Sequence, residues 1–419
     1  MVPDPVGRRK QPVPDNRSNR IVRVLIYTFP ALFDMIVAQF LFVNTLRLAK
    51  MSEAPLVAAT IVPFWSLVYM VACPLVGRCV TVANAARFIL ASCALVIGLA
   101  GLFVVLPGIP AMYALSGLMG IATALFFPPF QVFMKAVDTA QQKPITYSTG
   151  LYTFAWSAGY ATGPFISGLL METGSAAGAG QETSGWKLTY AVSALAAAAV
   201  GAGILRLRHL IHPDDPAAPP AGAAPAGLPD FSRQPDLAWL GWAGAGIGVV
   251  LVSVIRAVFP SHAVNTLHLA DSTQGLLSFI LSMAQAFTGL ALCRSRRWMY
   301  RPLPVAAIGL AGILAIGAFG VFRSPVTLAL AAVLFGVYAG CFFFYLVFHA
   351  LAHPIRSSFY VAINESVVGV GGIIGPLAAG WLASRFTFAW ACGAGAAVLL
   401  AATAFQSCVH RRRPAIDDA

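Results

Sequence analysis

Three ionisable residues lie where a long apolar stretch should hold none. Asp34, Arg256 and Glu365 sit well inside membrane-length apolar segments, and of the chain's 27 basic and 15 acidic side chains they alone do so. Holding such a charge in hydrocarbon costs roughly 2.5 to 3.5 kcal/mol on insertion scales, so each needs a compensating role. Asp34 and Arg256 could form a fixed ion pair that neutralises itself. They could equally form a switch, in which the released acid takes up a proton and the freed guanidinium receives an anion such as a carboxylate through paired hydrogen bonds. Glu365 and His349, the latter near the end of its own apolar stretch, would make a proton relay if they faced one another, since an imidazole ordinarily titrates near neutrality.

Around these charges the same stretches carry hydrogen-bonding and aromatic side chains. Gln39, Gln131, Tyr152, Trp156, Gln285, Tyr345 and Asn364 are candidates to line a cavity. Phe126, Phe127, Phe130 and Phe133 crowd one stretch, and Phe342, Phe343, Phe344, Tyr345 and Phe348 another. Such a lining suits an amphiphilic or aromatic organic solute better than a bare inorganic ion. Packing against core or lipid is the alternative, because four consecutive aromatics cannot share one helix face. No Walker-type phosphate loop is present, the seven cysteines show no paired metal-ligand spacing, and no cofactor, metal or nucleic-acid partner is expected.

The elements that position these residues must be transmembrane helices. With 58% hydrophobic and 10% charged residues and a mean hydropathy of +0.78, the chain has too little polar surface for water. About 20 apolar residues cross a bilayer, and twelve spans are predicted: 21–47, 54–76, 87–107, 109–133, 146–171, 186–207, 237–262, 272–293, 302–322, 326–352, 357–383 and 386–409. The domain reading is a basic tail (1–20), an N-terminal six-helix half (21–207), a Pro/Ala-rich linker (208–236), a C-terminal half (237–409) and a second tail (410–419). Basic clusters in both tails and after the eighth span place the termini and the linker in the cytoplasm and account for the net charge of +12. A bacterial inner (plasma) membrane is the expected location, with the bilayer as surroundings and a monomer as the expected state.

The halves repeat one another in parallel. Val43 to Ala49 and Val264 to Ala270 differ only at Arg47 against His268, and each closes a long apolar helix. Gly159, Gly163, Pro164 and Gly168 recur with identical spacing as Gly371, Gly375, Pro376 and Gly380. Small residues at such spacing let helix backbones approach closely, and proline bends the span.

Twelve spans, the parallel duplication, a central linker and glycine-proline signatures in spans five and eleven resemble the major facilitator superfamily over essentially the whole chain. Gly159 to Gly168 resembles the fifth-helix signature of that superfamily's antiporters, with Ser167 where glycine is usual. The loop signature after span two is partial: Gly77 and Cys293 stand where an acidic residue is expected, while Arg78 and Arg294 keep basic positions. The resemblance implies two halves rocking about a central cavity. Together with the charged and aromatic residues above, it implies a secondary transporter of a small organic solute of anionic or amphiphilic character and not an enzyme, coupled to protons through Asp34 with Glu365 as a further candidate and Arg256 as the substrate or counter-ion residue; the fifth-helix resemblance favours export. An uncoupled facilitator, a lipid-moving carrier and a transporter-like sensor without translocation remain open.

Overall fold

The computed structural model describes residues 16–51, 54–140, 145–175, 185–208, 238–292, 294, 301–352 and 357–411. Most of the linker and of the two tails lies outside them. Among the described residues there is no strand, and twelve helical spans follow one another. They are α1 (Asn16–Met51), α2 (Pro55–Cys79), α3 (Ala85–Val105), α4 (Ile109–Ala140), α5 (Ile145–Ser175) and α6 (Gly185–Leu207), then α7 (Ala238–Asn265), α8 (Asp271–Leu292), α9 (Pro302–Val321), α10 (Pro325–Ala352), α11 (Ser357–Arg385) and α12 (Phe388–Arg411). The twelve expected spans are therefore all present. Asn16 and Arg411 lie on one face, hereafter the termini face; the opposite side is the loop face.

Eleven of the twelve are long and apolar enough to cross a membrane by length and composition; α5 is the exception among the described residues. Its position explains why. α5 is wedged between α1 and α8, and Thr153, Ser157 and Ser167 are fully buried there. A helix wrapped by protein need not be lipid-soluble along its length.

Contacts between the halves run chiefly α5 to α8 and α2 to α11, the same pairing met twice when the repeat is applied. Glycines set the spacing. The backbone of Gly168 rests on that of Asp271, Gly275 rests on Pro164 and Gly380 on Leu56, so main chains touch toward the loop face. Deeper in, a methyl group placed at Gly289 would meet only the Thr153 side chain, at 3.4 Å.

Helix contacts also correct the register of the first repeat. Gly159 and Gly163 sit against the carbonyls of Ala31 and Met35, while their counterparts Gly371 and Gly375 sit against those of Gly246 and Val250. Ala31 thus corresponds to Gly246 and Val43 to Val258, so the two near-identical heptads are structurally out of step. Val43 to Ala49 is helical and buried. Its look-alike is helical only through Asn265, then unwinds through His268, which has a φ of 50°. In the first copy Asn44 accepts a 2.6 Å hydrogen bond from Tyr190 and Arg47 donates to the Pro107 carbonyl at 3.0 Å. In the second, Asn265 turns back to Ser261.

Candidate functional site

The structural counterpart of Asp34 is Val249 and that of Arg256 is Leu41. Asp34 and Arg256 are therefore not at matching depths, as the heptads suggested; Arg256 stands about two turns, roughly 10 Å, nearer the loop face. Its side chain reaches back toward the termini face, the direction in which side chains lean on α7. It is carried by a π-helical turn, Val254–Val258, whose other residues are buried. A π-turn adds a residue to the helix and re-aims the side chains on it, a device common at functional sites.

Arg256 ends at the junction of both halves. Its guanidinium stacks on Tyr160 of α5, 3.9 Å from the ring centre, and its Nη2 donates to Ser282 of α8 at 3.0 Å. Buried Asp34 of α1 interacts electrostatically with both Arg256 and Tyr160. The structure thus brings the two predicted charges into one group and adds Tyr160 and Ser282. A desolvated cation–π contact contributes up to about 2 kcal/mol, less than the cost of burying the charge, so the aspartate or another anion must supply the balance.

Other candidates lie elsewhere. His349 is buried against the edges of Tyr345 and Phe348, with ring centres 6.1 and 5.2 Å away. The side chain of Glu365 lies outside the described residues. Asn364 accepts from Trp242 at 2.8 Å and donates to the Leu346 carbonyl at 3.2 Å, tying α11 to α7 and α10. Tyr345 is buried beside Phe342. Gln39 accepts from Ser193 of α6 at 2.7 Å and so turns into its own half. His349, Asn364, Tyr345 and Gln39 are thus each packed against or hydrogen-bonded to protein neighbours.

The remainder of the expected lining does meet between helices. Gln131 of α4 donates to the Tyr152 hydroxyl at 3.4 Å, Trp156 meets Phe343 of α10 edge-on at 5.7 Å, and Gln285 of α8 donates to Ser157 of α5 at 3.0 Å. The glycine-proline signatures act in packing: Gly159 and Gly163 seat α1, Gly371 and Gly375 seat α7, while Gly168 and Gly380 close on the other half. Pro164 and Pro376 lie within their helices at repeat-related places.

On the loop face an ion pair joins the halves. Lys50 Nζ lies 2.5 Å from Asp271 Oδ2. Each immediately follows one of the heptads, which was the available signal for it. Nearby, Ser384 of α11 accepts the Leu56 amide of α2 at 3.1 Å, filling the place of an N-cap side chain that α2 lacks. A pair of aromatic seats also repeats across the halves: Arg47 lies over Trp186 at 4.1 Å, and its counterpart His262 stacks on Phe388 at 4.8 Å.

The fold has solved relatives. The human organic anion transporter MFSD10 (TETRAN) superposes with a TM-score of 0.61 and 14% identity over 93% of this chain and 99% of that one. The nucleoside transporter NupG superposes with a TM-score of 0.59 and 14% identity over 94% of this chain and 100% of the other. No curated protein matches in sequence. The family model of the Major Facilitator Superfamily, however, matches residues 24–354. With that match spanning most of the sequence, and with two parallel six-helix halves meeting at α2, α5, α8 and α11, the chain belongs to the major facilitator superfamily.

Proposed function

We propose that this protein is a secondary transporter of a small organic anion, working by alternating access, with Arg256 as the receptor for the anionic group and Asp34 as the proton-coupling acid. One observation carries the reading: an arginine of the C-terminal half stacks on a tyrosine of the N-terminal half, within electrostatic reach of that half's buried Asp34. A carboxylate that binds Arg256 competes with Asp34 for the same cation. The displaced aspartate, left in a low-dielectric junction, takes up a proton, and the electrostatic link between halves is exchanged for one to the solute. Binding thereby lowers the barrier to rocking.

The contacts at Lys50–Asp271, Gly168 and Gly380 support a conformer sealed on the loop face. With the termini in the cytoplasm, as the basic tails favour, that face is the outer one. The similarity of MFSD10, an organic anion transporter by name, agrees with an anionic cargo.

The test is thermal stabilisation of the purified protein by organic acids, amines, nucleosides and sugars, followed by flux into proteoliposomes under a pH gradient. Stabilisation by acids that is lost in Arg256→Gln is expected. Stabilisation by amines, nucleosides or sugars alone, or by acids undiminished in the variant, would overturn the reading.

A further inference from the structure

Tyr160, the ring beneath Arg256, is the last of an evenly spaced series on α5. Tyr152, Trp156 and Tyr160 follow at four-residue intervals, so they rise along one side of the helix about 6 Å apart. All three are half-buried, while Thr153, Ala155, Ser157, Gly159 and Ala161 beside them are buried. That side is fixed by the contacts around it. Gly159 and Gly163 face α1, Thr153 and Ser157 face α8, Leu169 is exposed on the opposite side, and the three rings fall between the first two faces. They point to the junction of the halves.

Each ring meets a different helix there. Tyr152 receives Gln131 of α4, Trp156 meets Phe343 of α10 and Tyr160 carries Arg256 of α7. The row thus begins toward the termini face and ends at a cation. Resting on the organic-anion reading, we propose that this row and Arg256 form one binding site for a flat aromatic carboxylate. Its acid group meets Arg256, its ring lies along Trp156, and Tyr160 sets specificity by holding the guanidinium flat. A flat π-system gains from stacked or edge-on partners what a saturated ring of the same outline does not. A cationic aromatic would be repelled by Arg256, and a neutral one offers the guanidinium nothing to take the place of Asp34.

The test compares 2-naphthoate with its saturated counterpart, decahydro-2-naphthoate, by calorimetric titration of the full-length protein in nanodiscs. Uridine serves as a flat uncharged control. Naphthoate is expected to bind about threefold to tenfold more tightly, from the size of aromatic pair effects. That preference should vanish in Trp156→Leu and weaken in Tyr160→Leu, yet persist in Trp156→Phe and Tyr160→Phe, which keep the rings. Arg256→Gln should lose both acids. Equal binding of the two acids, or a preference that survives Trp156→Leu, overturns the aromatic site and leaves the organic-anion reading standing. Binding of uridine with no binding of either acid overturns both.

Discussion

Lys50 and Asp271, 221 residues apart in the chain, meet at 2.5 Å and so connect the end of α1 in one half to the start of α8 in the other. The lysine side chain is 38% exposed and the aspartate 10%. With the lysine end this open to solvent, the pair is screened and contributes on the order of 0.2 to 1 kcal/mol. It biases the loop face toward closure without locking it, as the proposed alternating access requires.

Reversing either charge should therefore raise the open population by up to about fivefold. The readout is the rate at which a membrane-impermeant maleimide labels Ser272→Cys, which lies beside Gly168 in the closed interface, in a background lacking the exposed Cys79 and Cys408. Lys50→Asp combined with Asp271→Lys should restore slow labelling. If the exchanged pair labels as fast as the single variants, the ion pair does not hold the gate.

Ser384 should matter through the Leu56 amide. Its loss in Ser384→Ala removes the acceptor for that donor, and cap losses of about 0.5 to 2 kcal/mol translate into roughly twofold to thirtyfold faster hydrogen exchange at the start of α2. Unchanged exchange there would mean that the contact is not kept in the membrane.

Two glycines equivalent in sequence should respond unequally. An added methyl at Gly159 collides with the Ala31 main chain, which has nowhere to go, whereas at Gly371 its nearest neighbours are the Cβ and Cγ1 of Val249 at 2.9 Å. Gly159→Ala should lower the melting temperature in detergent well beyond Gly371→Ala, overpacking of this kind costing about 1 to 3 kcal/mol or more. Equal melting temperatures would contradict the register of α1 against α5.

Asp34→Asn should separate binding from coupling. With the competing carboxylate gone, an organic anion should bind Arg256 at least as tightly as before, while a pH gradient no longer drives its accumulation in proteoliposomes. Accumulation that continues would identify an uncoupled facilitator or a different acid as the coupling group.

Span number and order were readable because hydropathy and loop punctuation reflect a requirement imposed by lipid on every helix. The ninth span, expected at 302–322, runs Pro302–Val321. Asp34 and Arg256 were readable for the same reason: their cost is visible wherever they sit. What a helix turns toward its neighbours was harder. The partners of Gln39 and Asn364, namely Ser193, Trp242 and the Leu346 carbonyl, could not be read from the sequence because they come from distant helices. Tyr160 was passed over because a tyrosine among apolar residues announces no cost, although its spacing from Tyr152 and Trp156 was available. The heptads misled because identity of seven residues says nothing about where a helix ends; Pro107, Ser116 and Tyr190 bond to one copy along its helix, whereas in the other Asn265 turns back to Ser261 and Gln274 donates to the Leu269 carbonyl.

The π-turn under Arg256 has a further consequence. Two halves descended from one repeat would, if they stayed alike, enclose a pocket with a twofold axis, and an asymmetric solute could then enter it in either of two equivalent orientations. α1 carries no such turn, so the extra residue in α7 makes one wall of the pocket unlike the other. On the proposed transport reading, the solute therefore takes one orientation about the axis relating the halves, where an unbroken twofold would admit two.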